Sequence, residues 1–357
     1  MKIGIVTMIS NNYGALLQCY ALQTILQRMG HQVVVVNRKW GKLPQKYTTK
    51  DKLCELKARL RAFVKGKDAF SRFRHDYLHL SKPVHIQQDL LRLNNQLDIV
   101  ISGSDQVWNG DCMNTMDGYF FLDWVDYPKV RRFSYAASFG KDTFQASDEH
   151  FCMAKQLMQS YDGISVRESS GIKICKEVFG CDALNHLDPT LLLKAKDYSA
   201  LIQKRDEEVS PYICSYMLDM TNDKQRIAEY MAHNSKCFVR NIYPSASSAE
   251  QYIRVEEWLY FIRNAEYVVT DSFHGMAFSI IFNKQFVCLN NPKRGSARFL
   301  NLLSKLNLLE RLIDVDKATH ESIDSILRHN IDYSSVNRIV QNLREEAFEY
   351  IKTINYS

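Results

Sequence analysis

The sequence predicts an α/β protein built from two Rossmann-like domains, because strand-like and helix-like segments alternate along most of its length. A β-α-β unit occupies the first 37 residues, and the same alternation begins again near Tyr212. The 357 residues also exceed what one ordinary hydrophobic core accommodates. We therefore expect an N-terminal domain at 1–187, a C-terminal domain at 188–333 and a closing helix at 334–357, which could pack back on the first domain.

The first β-α-β unit is easy to assign. Lys2 to Thr7 is typical of a buried strand, and Gln32 to Asn37 contains four consecutive valines. Between them, Ala15 to Met29 carries apolar residues at helical spacing, and Gly30 is a typical stop. The unit lacks the G-x-G-x-x-G pattern, so we predict no dinucleotide site.

The remaining strands follow the same logic of short apolar runs between turn residues. His186 to Thr190 is the predicted connection between the domains, since Pro189 favours extended backbone. A long helix is expected from Ser334 to Ile354. The other predicted strands are Leu97 to Ile101, Arg132 to Ala137, Gly163 to Arg167, Tyr212 to Tyr216, Cys237 to Asn241, Tyr267 to Thr270 and Phe286 to Leu289.

Composition narrows the class of protein. Hydrophobic residues make up 46% and charged residues 24% of the chain, as in soluble globular proteins. No apolar run approaches the ~20 residues of a membrane span, and a strand from Lys2 onward argues against a signal peptide. The nine cysteines lack a C-x-x-C pair, which favours reduced thiols and no zinc site. We expect a cytoplasmic protein without a bound metal or cofactor.

Positive charge is concentrated between Arg38 and Arg74, where thirteen Lys or Arg face three acids in a chain of net charge +6. Leu53 to Val64 forms an apolar stripe at helical spacing within this segment. Such a helix suits an anionic membrane surface at the inner face of the membrane, or an acidic lipid-linked substrate. The alternative is a solvated helix whose stripe packs inward on the sheet. Nucleic acid is not expected, because no known binding module accompanies the charge.

The stretch from Ala265 to Phe282 predicts a strand, a tight loop and a buried helix. Asp271 and Ser272 are helix-starting residue types. His274 and Gly275 therefore lie where helix N–H groups would face an anion at the carboxyl end of a strand. The alternative is a histidine satisfied in the core beside a glycine that relieves the turn.

A second loop of interest is Ser102 to Asn109, which follows the strand that ends near Ile101. Its small residues, the Asp105 carboxylate, the Gln106 amide and the Trp108 ring are the mixture that sugar sites use. The alternative is a polar turn whose tryptophan closes the core.

Taken together, six segments resemble the polysaccharide pyruvyl transferase family. They are N-N-Y-G-A-L-L-Q-C-Y-A-L-Q at 11–23, I-S-G-S-D-Q-V-W-N at 101–109, Y-A-A-S-F-G at 135–140, S-V-R-E at 165–168, L-D-P-T-L-L-L at 187–193 and V-V-T-D-S-F-H-G at 268–275. The resemblance implies two Rossmann-like domains facing a central cleft, as in GT-B glycosyltransferases. It also implies transfer of the pyruvyl group of phosphoenolpyruvate onto two sugar hydroxyls as a cyclic ketal, with release of phosphate.

The implied donor carries a carboxylate and a phosphate, which guanidinium groups bind well. Several family members carry Arg-Leu before His-Gly, whereas this chain has Ser272-Phe273. The missing cation must then come from elsewhere. We expect catalysis by His274 and Asp105. The expected donor-binding residues are Arg167, Arg298, Ser272, Gly275, Lys293 and Arg294, and the expected acceptor-binding residues are Asn12, Tyr13, Ser104, Gln106, Trp108 and Asn109.

The sequence is compatible with three functions. The first is a pyruvyltransferase acting on a lipid-linked precursor of a surface polysaccharide, such as a capsule or exopolysaccharide. The second is a GT-B-like glycosyltransferase that uses a nucleotide sugar, with His274 on the donor phosphate. The third is a non-catalytic relative that binds sugar or lipid and has kept the fold.

Overall fold

The computed structural model describes residues 1–64, 68–202, 210–244, 252–292 and 295–356. The chain divides into two compact units. Unit 1 comprises Met1–Val64, Ser71–Leu192 and Leu343–Ser357, and unit 2 comprises Lys65–Phe70 and Leu193–Asn342. Each unit is built on a parallel β-sheet.

Unit 1 has a four-stranded parallel sheet in the order β2-β1-β3-β4. Ile3 pairs with Val33 on one side of β1 and with Ile99 on the other. Single bridges from Phe133 to Gly163 and from Ala137 to Val166 place the short pair β5 and β6 beside β4. The strands are β1 Lys2–Val6, β2 Gln32–Val35, β3 Ile99–Ser102, β4 Arg131–Ser134, β5 Ser165–Val166 and β6 Leu184–Asn185.

Three helices of unit 1 begin at N-cap side chains that accept a backbone N–H. Asn12 accepts from the Ala15 N–H at 3.1 Å, and Ser147 accepts from the His150 N–H at 3.3 Å. The helices are α1 Tyr13–Arg28, α2 Thr49–Val64, α3 Asp68–Tyr77, α4 Gln87–Leu93, α5 Gly110–Met116, α6 Asp148–Met158 and α7 Ser169–Ile174. The first residues of α3 fall in unit 2.

Unit 2 has a five-stranded parallel sheet in the order β11-β10-β9-β7-β8. Its strands are β7 Tyr212–Tyr216, β8 Phe238–Asn241, β9 Tyr267–Thr270, β10 Gln285–Leu289 and β11 Leu312–Ile313. Its helices are α8 Ala195–Ser199, α9 Asn222–Asn234, α10 Val255–Asn264, α11 Phe273–Ile281, α12 Ala297–Lys305 and α13 His320–Arg328. The β9-α11 half-unit is buried along its whole helix, as the apolar run in the sequence predicts.

The last helix, α14, runs over Tyr333–Tyr356. Its residues up to Asn342 belong to unit 2, and the remainder belongs to unit 1. Within unit 1, Ile351 is fully buried and the Tyr350 hydroxyl donates to the Ser134 carbonyl at 2.8 Å. The end of the chain is therefore part of the unit 1 core.

Several predicted strands are too long at their carboxyl ends. The predicted strand runs from Arg132 to Ala137, but β4 ends at Ser134. It cannot continue because Ala136 has a φ of +47°, outside the range of a β-strand. Likewise β1 ends before Thr7, whose hydroxyl instead donates to the Ser104 carbonyl at 2.6 Å. In each case the extra residues belong to loops at the carboxyl edge of the sheet.

Helix α2 contradicts one interpretation of the basic segment. Its apolar residues do not pack inward: Leu53, Leu56, Leu60, Phe63 and Val64 are all at least half exposed. The interpretation in which the stripe covers the sheet is therefore wrong. Among the helices of the described ranges, none has the length and apolar character needed to cross a membrane.

Candidate functional site

The loops of unit 1 that carry polar side chains follow neighbouring parallel strands. Thr7 follows β1, Ser104 and Asp105 follow β3, and Arg167 and Glu168 follow β5. Because parallel strands end at one edge of the sheet, these loops meet there, and this is the edge where such sheets bind ligands. We call it the unit 1 edge.

A buried ion pair lies at the centre of the unit 1 edge. The Arg167 guanidinium donates to Asp188 Oδ2 at 2.7 Å, and both side chains are almost completely buried. Ser104 Oγ donates to the same oxygen at 3.0 Å, while the Thr190 N–H and hydroxyl donate to Oδ1 at 2.9 and 2.7 Å. The Asp188 carboxylate is thus satisfied on both oxygens, as a buried charge requires.

The ion pair fixes the charge of Arg167. Burial alone would lower the pKa of its guanidinium, but the Asp188, Asp105 and Glu168 carboxylates outweigh burial and raise the pKa. The sequence predicted that Arg167 binds the donor directly. That assignment is not supported, because the side chain is only 2% exposed and already pairs with Asp188. The Nη2 atom of Arg167 lies 3.9 Å from Asp105 Oδ1. Arg167 can therefore hold the Asp105 carboxylate in position.

Asp105 itself is half-buried and has a φ of +79°, a left-handed conformation that is uncommon outside glycine. The conformation is held by the Asp105 carbonyl, which accepts from the N–H groups of Val107 and Ser138 at 2.8 and 3.0 Å. The Gln106 N–H donates to the carboxylate at 2.9 Å. Strained residues held in this way are concentrated at functional sites, so Asp105 is the strongest acid-base candidate of this edge.

Glu168 follows the predicted strand from Gly163 to Arg167, and the structure gives it a defined role. Its side chain is buried, and Oε1 accepts from Ser138 Oγ at 2.9 Å and from the Phe139 N–H at 2.8 Å. It therefore anchors the loop after β4 against the loop after β5. The S-V-R-E segment carried this signal, but spacing alone does not distinguish an anchoring carboxylate from a ligand-binding one.

Three predicted acceptor-binding residues are buried in the structure. Trp108 is fully buried, stacks on Phe121 with ring centres 5.7 Å apart, and donates from Nε1 to a backbone carbonyl at 3.2 Å. Its ring closes the core and offers no face to a sugar. Tyr13 is fully buried in the first turn of α1, and the Ser104 hydroxyl is used by Asp188. The direct roles predicted for Trp108, Tyr13 and Ser104 are therefore not supported.

The other predicted acceptor-binding residues lie where a ligand can reach them. Asn12 and Asn109 are half-buried N-caps of α1 and α5, accepting from the backbone at 3.1 and 3.0 Å. Gln106 is half-buried beside Gly140, where an added Cβ would come within 2.8 Å of the Gln106 side chain. Asn12, Asp105, Gln106 and Asn109 remain the candidate ligand-binding residues of unit 1.

The edge of the unit 2 sheet has its own buried carboxylate, at a position that the sequence marks only as the start of a helix. Asp271 follows β9 and is completely buried. It accepts from the N–H groups of Leu218 and Asp219 at 2.6 and 3.1 Å, and from Lys224 Nζ at 2.6 Å. Asn291 Nδ2 adds a fourth donor at 3.2 Å. Asp271 thereby ties the loops after β7, β9 and β10 together.

Helix α11 starts directly after this carboxylate. Ser272 is its N-cap and accepts from the Gly275 N–H at 3.5 Å. A Cβ on Gly275 would lie 2.3 Å from Thr270 Oγ1, so only glycine allows the helix to approach β9 this closely. His274 lies in the first turn and is 7% exposed. The first turn of a helix presents N–H groups and positive dipole charge to an anion.

Arg298 lies close to the start of α11. It is in the first turn of α12, is largely buried, and its guanidinium carbon lies 5.9 Å from the centre of the Phe273 ring. Phe273 is the residue before His274. The structure thus brings Ser272, His274, Gly275 and Arg298 to one region of unit 2, the α11 edge. The predicted donor residues Lys293 and Arg294 lie outside the described residues.

In the described part of the chain, no group of three or more His, Cys, Asp or Glu side chains is arranged to hold a metal ion. The chemistry available at the α11 edge is that of a guanidinium, an imidazole and a helix N-terminus. At the unit 1 edge it is that of a carboxylate flanked by side-chain amides.

Comparison with solved structures defines the fold class. A co-structure of S. aureus MnaA with UDP has a TM-score of 0.51 at 10% identity, with 99% of this chain and 97% of that chain covered. A putative UDP-N-acetylglucosamine 2-epimerase from Listeria monocytogenes gives 0.49 at 12%, covering 97% and 96%. E. coli heptosyltransferase WaaC with ADP gives 0.46 at 11%, covering 93% and 100%. The likeness to the MnaA structure, together with the two parallel sheets, gives an α/β fold of the GT-B-like class.

The sequence defines the family more closely. The model described as "Polysaccharide pyruvyl transferase" matches residues 12–293, well over half of the chain. The protein belongs to the polysaccharide pyruvyl transferase family, which confirms the resemblance carried by the six segments. The family indicates a transferase that acts in polysaccharide pyruvylation. A search of curated proteins found no significant match.

The buried ion pair of unit 1 gives a stability prediction. Arg167→Ala should lower the free energy of unfolding by about 3–5 kcal/mol, because it leaves the Asp188 carboxylate buried without its cation. Lys141→Ala removes an exposed pair with Asp111 and should cost less than about 1 kcal/mol. Urea unfolding of both variants checks this, and a similar small loss in each would contradict the structural role of Arg167.

A double-mutant cycle tests the corresponding pair in unit 2. Lys224→Met should destabilise the protein by about 3–5 kcal/mol, because it leaves Asp271 in a buried site without its cation. Adding Asp271→Asn should recover part of that loss, since the buried charge is gone. The cycle is measured by urea unfolding. Additive losses would mean that the two side chains do not depend on each other.

Proposed function

We propose that the protein transfers the pyruvyl group of phosphoenolpyruvate to two hydroxyls of a sugar in a surface-polysaccharide precursor, which is lipid-linked. The proposal rests on family membership and on the groups that meet at the α11 edge. There His274, a helix N-terminus and Arg298 are gathered in one unit. A donor with both a phosphate and a carboxylate needs such a set of cationic and N–H groups.

The reaction balances without an added oxidant or reductant. A proton is added to C3 of phosphoenolpyruvate, C2 forms bonds to two sugar oxygens, and the bond from C2 to the phosphate oxygen breaks. The two hydroxyls release two protons. One balances the proton added to C3, and the other is taken up by the released phosphate or by the base. The products are the cyclic ketal and inorganic phosphate.

The donor role is assigned to unit 2. His274 delivers the proton to C3 or binds the phosphate, and Arg298 supplies the guanidinium that the Ser272-Phe273 sequence lacks. Ser272 and Gly275 shape the first turn of α11, which receives an anion through its N–H groups.

The acceptor role is assigned to the unit 1 edge. Asp105 takes a proton from an attacking hydroxyl, because its carboxylate is half-buried in a strained and well-anchored loop. Asn12, Gln106 and Asn109 are polar groups that suit sugar hydroxyls. Arg167, whose Nη2 lies 3.9 Å from Asp105 Oδ1, is assigned to positioning that carboxylate.

Thermal-shift measurements with phosphoenolpyruvate, UDP-sugars and ADP-sugars provide the first test. A ligand at 100 times its dissociation constant stabilises the folded state by about 2.7 kcal/mol, which is easily measured. Stabilisation by phosphoenolpyruvate is expected. Mass spectrometry of methyl glycosides incubated with enzyme and phosphoenolpyruvate should then detect a pyruvyl ketal. Stabilisation by a nucleotide sugar alone would instead favour a glycosyltransferase.

Variants separate the two assigned roles. His274→Ala should lose about 100-fold or more in turnover, and His274→Gln should restore hydrogen bonding but not proton transfer. Asp105→Asn should bind phosphoenolpyruvate normally and yet fail to form the ketal. Turnover and donor affinity are measured for each variant. Near-normal turnover in both His274 variants would show a structural histidine, and loss of donor binding in Asp105→Asn would reverse the assignment of the two units.

A further inference from the structure

Helix α2 presents its apolar side chains to solvent. Its stripe consists of residues with relative exposures between 53% and 74%: Leu53, Leu56, Leu60, Phe63 and Val64. At about 100° per residue these positions share one side of the helix. Single exposed apolar residues are common, but a contiguous stripe of five marks an interaction surface. We call this surface the α2 stripe.

The opposite side of α2 is the one held by the rest of unit 1, and it is polar. Asp51 and Glu55, one helical turn apart, are half-buried residues on that side. Glu55 pairs with Lys39 and lies 3.4 Å from His85 Nδ1. The polar side of the helix is thus paired with Lys39 through Glu55, and its apolar side lies outward, the reverse of the usual arrangement for a helix that covers a sheet.

Basic side chains border the stripe on both sides. Lys52 lies along one border, and Lys57 and Arg61 lie along the other, as the helical periodicity requires. All three are exposed. An apolar stripe with cationic borders has the chemistry of a helix that lies in a lipid headgroup region.

A second copy of the chain fits this surface less well. In a two-fold dimer the same patch would face itself, which brings the basic borders of the two copies together. Like charges placed opposite each other across an interface oppose association. An anionic bilayer surface complements both features, because its headgroups attract the borders and its acyl boundary receives the stripe.

We propose that α2 docks the protein on an anionic membrane surface, with the α2 stripe inserted at the headgroup boundary and Lys52, Lys57 and Arg61 on the lipid phosphates. This docking places the protein where a lipid-linked acceptor is found. It does not depend on the identity of the donor, so vesicle binding and pyruvyl transfer can succeed or fail separately.

Cosedimentation of the full chain with lipid vesicles tests the proposal. Binding is expected to phosphatidylcholine vesicles that contain about one third phosphatidylglycerol, and not to phosphatidylcholine alone. Raising the salt to about 1 M, where the Debye length is about 3 Å, should release the electrostatic part. Equal sedimentation with both vesicle types would overturn the proposal.

Matched variants locate the surface. The triple change Lys52→Gln, Lys57→Gln and Arg61→Gln should weaken partitioning about 100-fold, since each cation near such a surface contributes roughly a factor of 5. A control with the same change in net charge replaces three exposed lysines elsewhere in unit 1 and should bind like the wild type. The control changes are Lys155→Gln, Lys173→Gln and Lys176→Gln.

The apolar contribution has its own control. Leu53→Ser, Leu60→Ser and Phe63→Ser together should weaken partitioning at least tenfold. The same number of exposed leucines changed elsewhere, Leu91→Ser, Leu184→Ser and Leu309→Ser, should have no effect. Thermal unfolding establishes that each variant is folded. Equal loss in the stripe and control variants would overturn the proposal, as would a dimer that dissociates on changing the stripe while vesicle binding is absent.

Discussion

A carboxylate with no solvent contact lies at the carboxyl edge of each sheet, Asp188 in unit 1 and Asp271 in unit 2. Removing a charged carboxylate from water costs several kcal/mol unless a cation and hydrogen bonds replace the solvent. Arg167 and Lys224 supply the cations at 2.7 and 2.6 Å. The loops that would form a binding site are therefore held by buried ion pairs.

The buried ion pairs distinguish residues that fix the loops in place from residues that are available to bind a ligand or to react. In unit 1, Arg167 and the Ser104 hydroxyl both donate to Asp188. The half-buried Asp105 is then the carboxylate of the unit 1 edge that is accessible to a ligand. In unit 2, Asp271 fixes the residue before the N-cap of α11 and so determines where the first helical turn begins. His274 then follows from the backbone, because it is the second residue of that helix.

The alternation of elements and the position of the loops could be predicted from the sequence, because apolar periodicity and turn residues are local signals. The β9-α11 half-unit is an example, including its start near Ser272. The direction in which a side chain points could not be predicted in the same way. The residue types around Trp108 suggest a sugar site, yet its ring packs against Phe121 and Phe139, which come from other segments of the chain.

The cations illustrate the same limit. Arg167 and Arg298 are equal candidates in sequence, and only the tertiary position of Asp188 shows that the first is used internally. For α2, periodicity identified the stripe but not the side on which it lies. On its polar side Glu55 pairs with Lys39 and lies near His85, and these contacts join segments that helical periodicity does not connect.

The central claim is that the α11 edge of unit 2 binds the anionic donor, and calorimetric titration with phosphoenolpyruvate tests it most directly. Arg298→Ala should weaken binding about 10- to 100-fold, because a charge-assisted hydrogen bond is worth about 1.5–3 kcal/mol, and Arg298→Lys should restore only part of it. Arg226→Ala, which removes an exposed side chain of the same unit, should bind as the wild type does. Wild-type affinity in a folded Arg298→Ala variant would contradict the assignment of the donor to this edge.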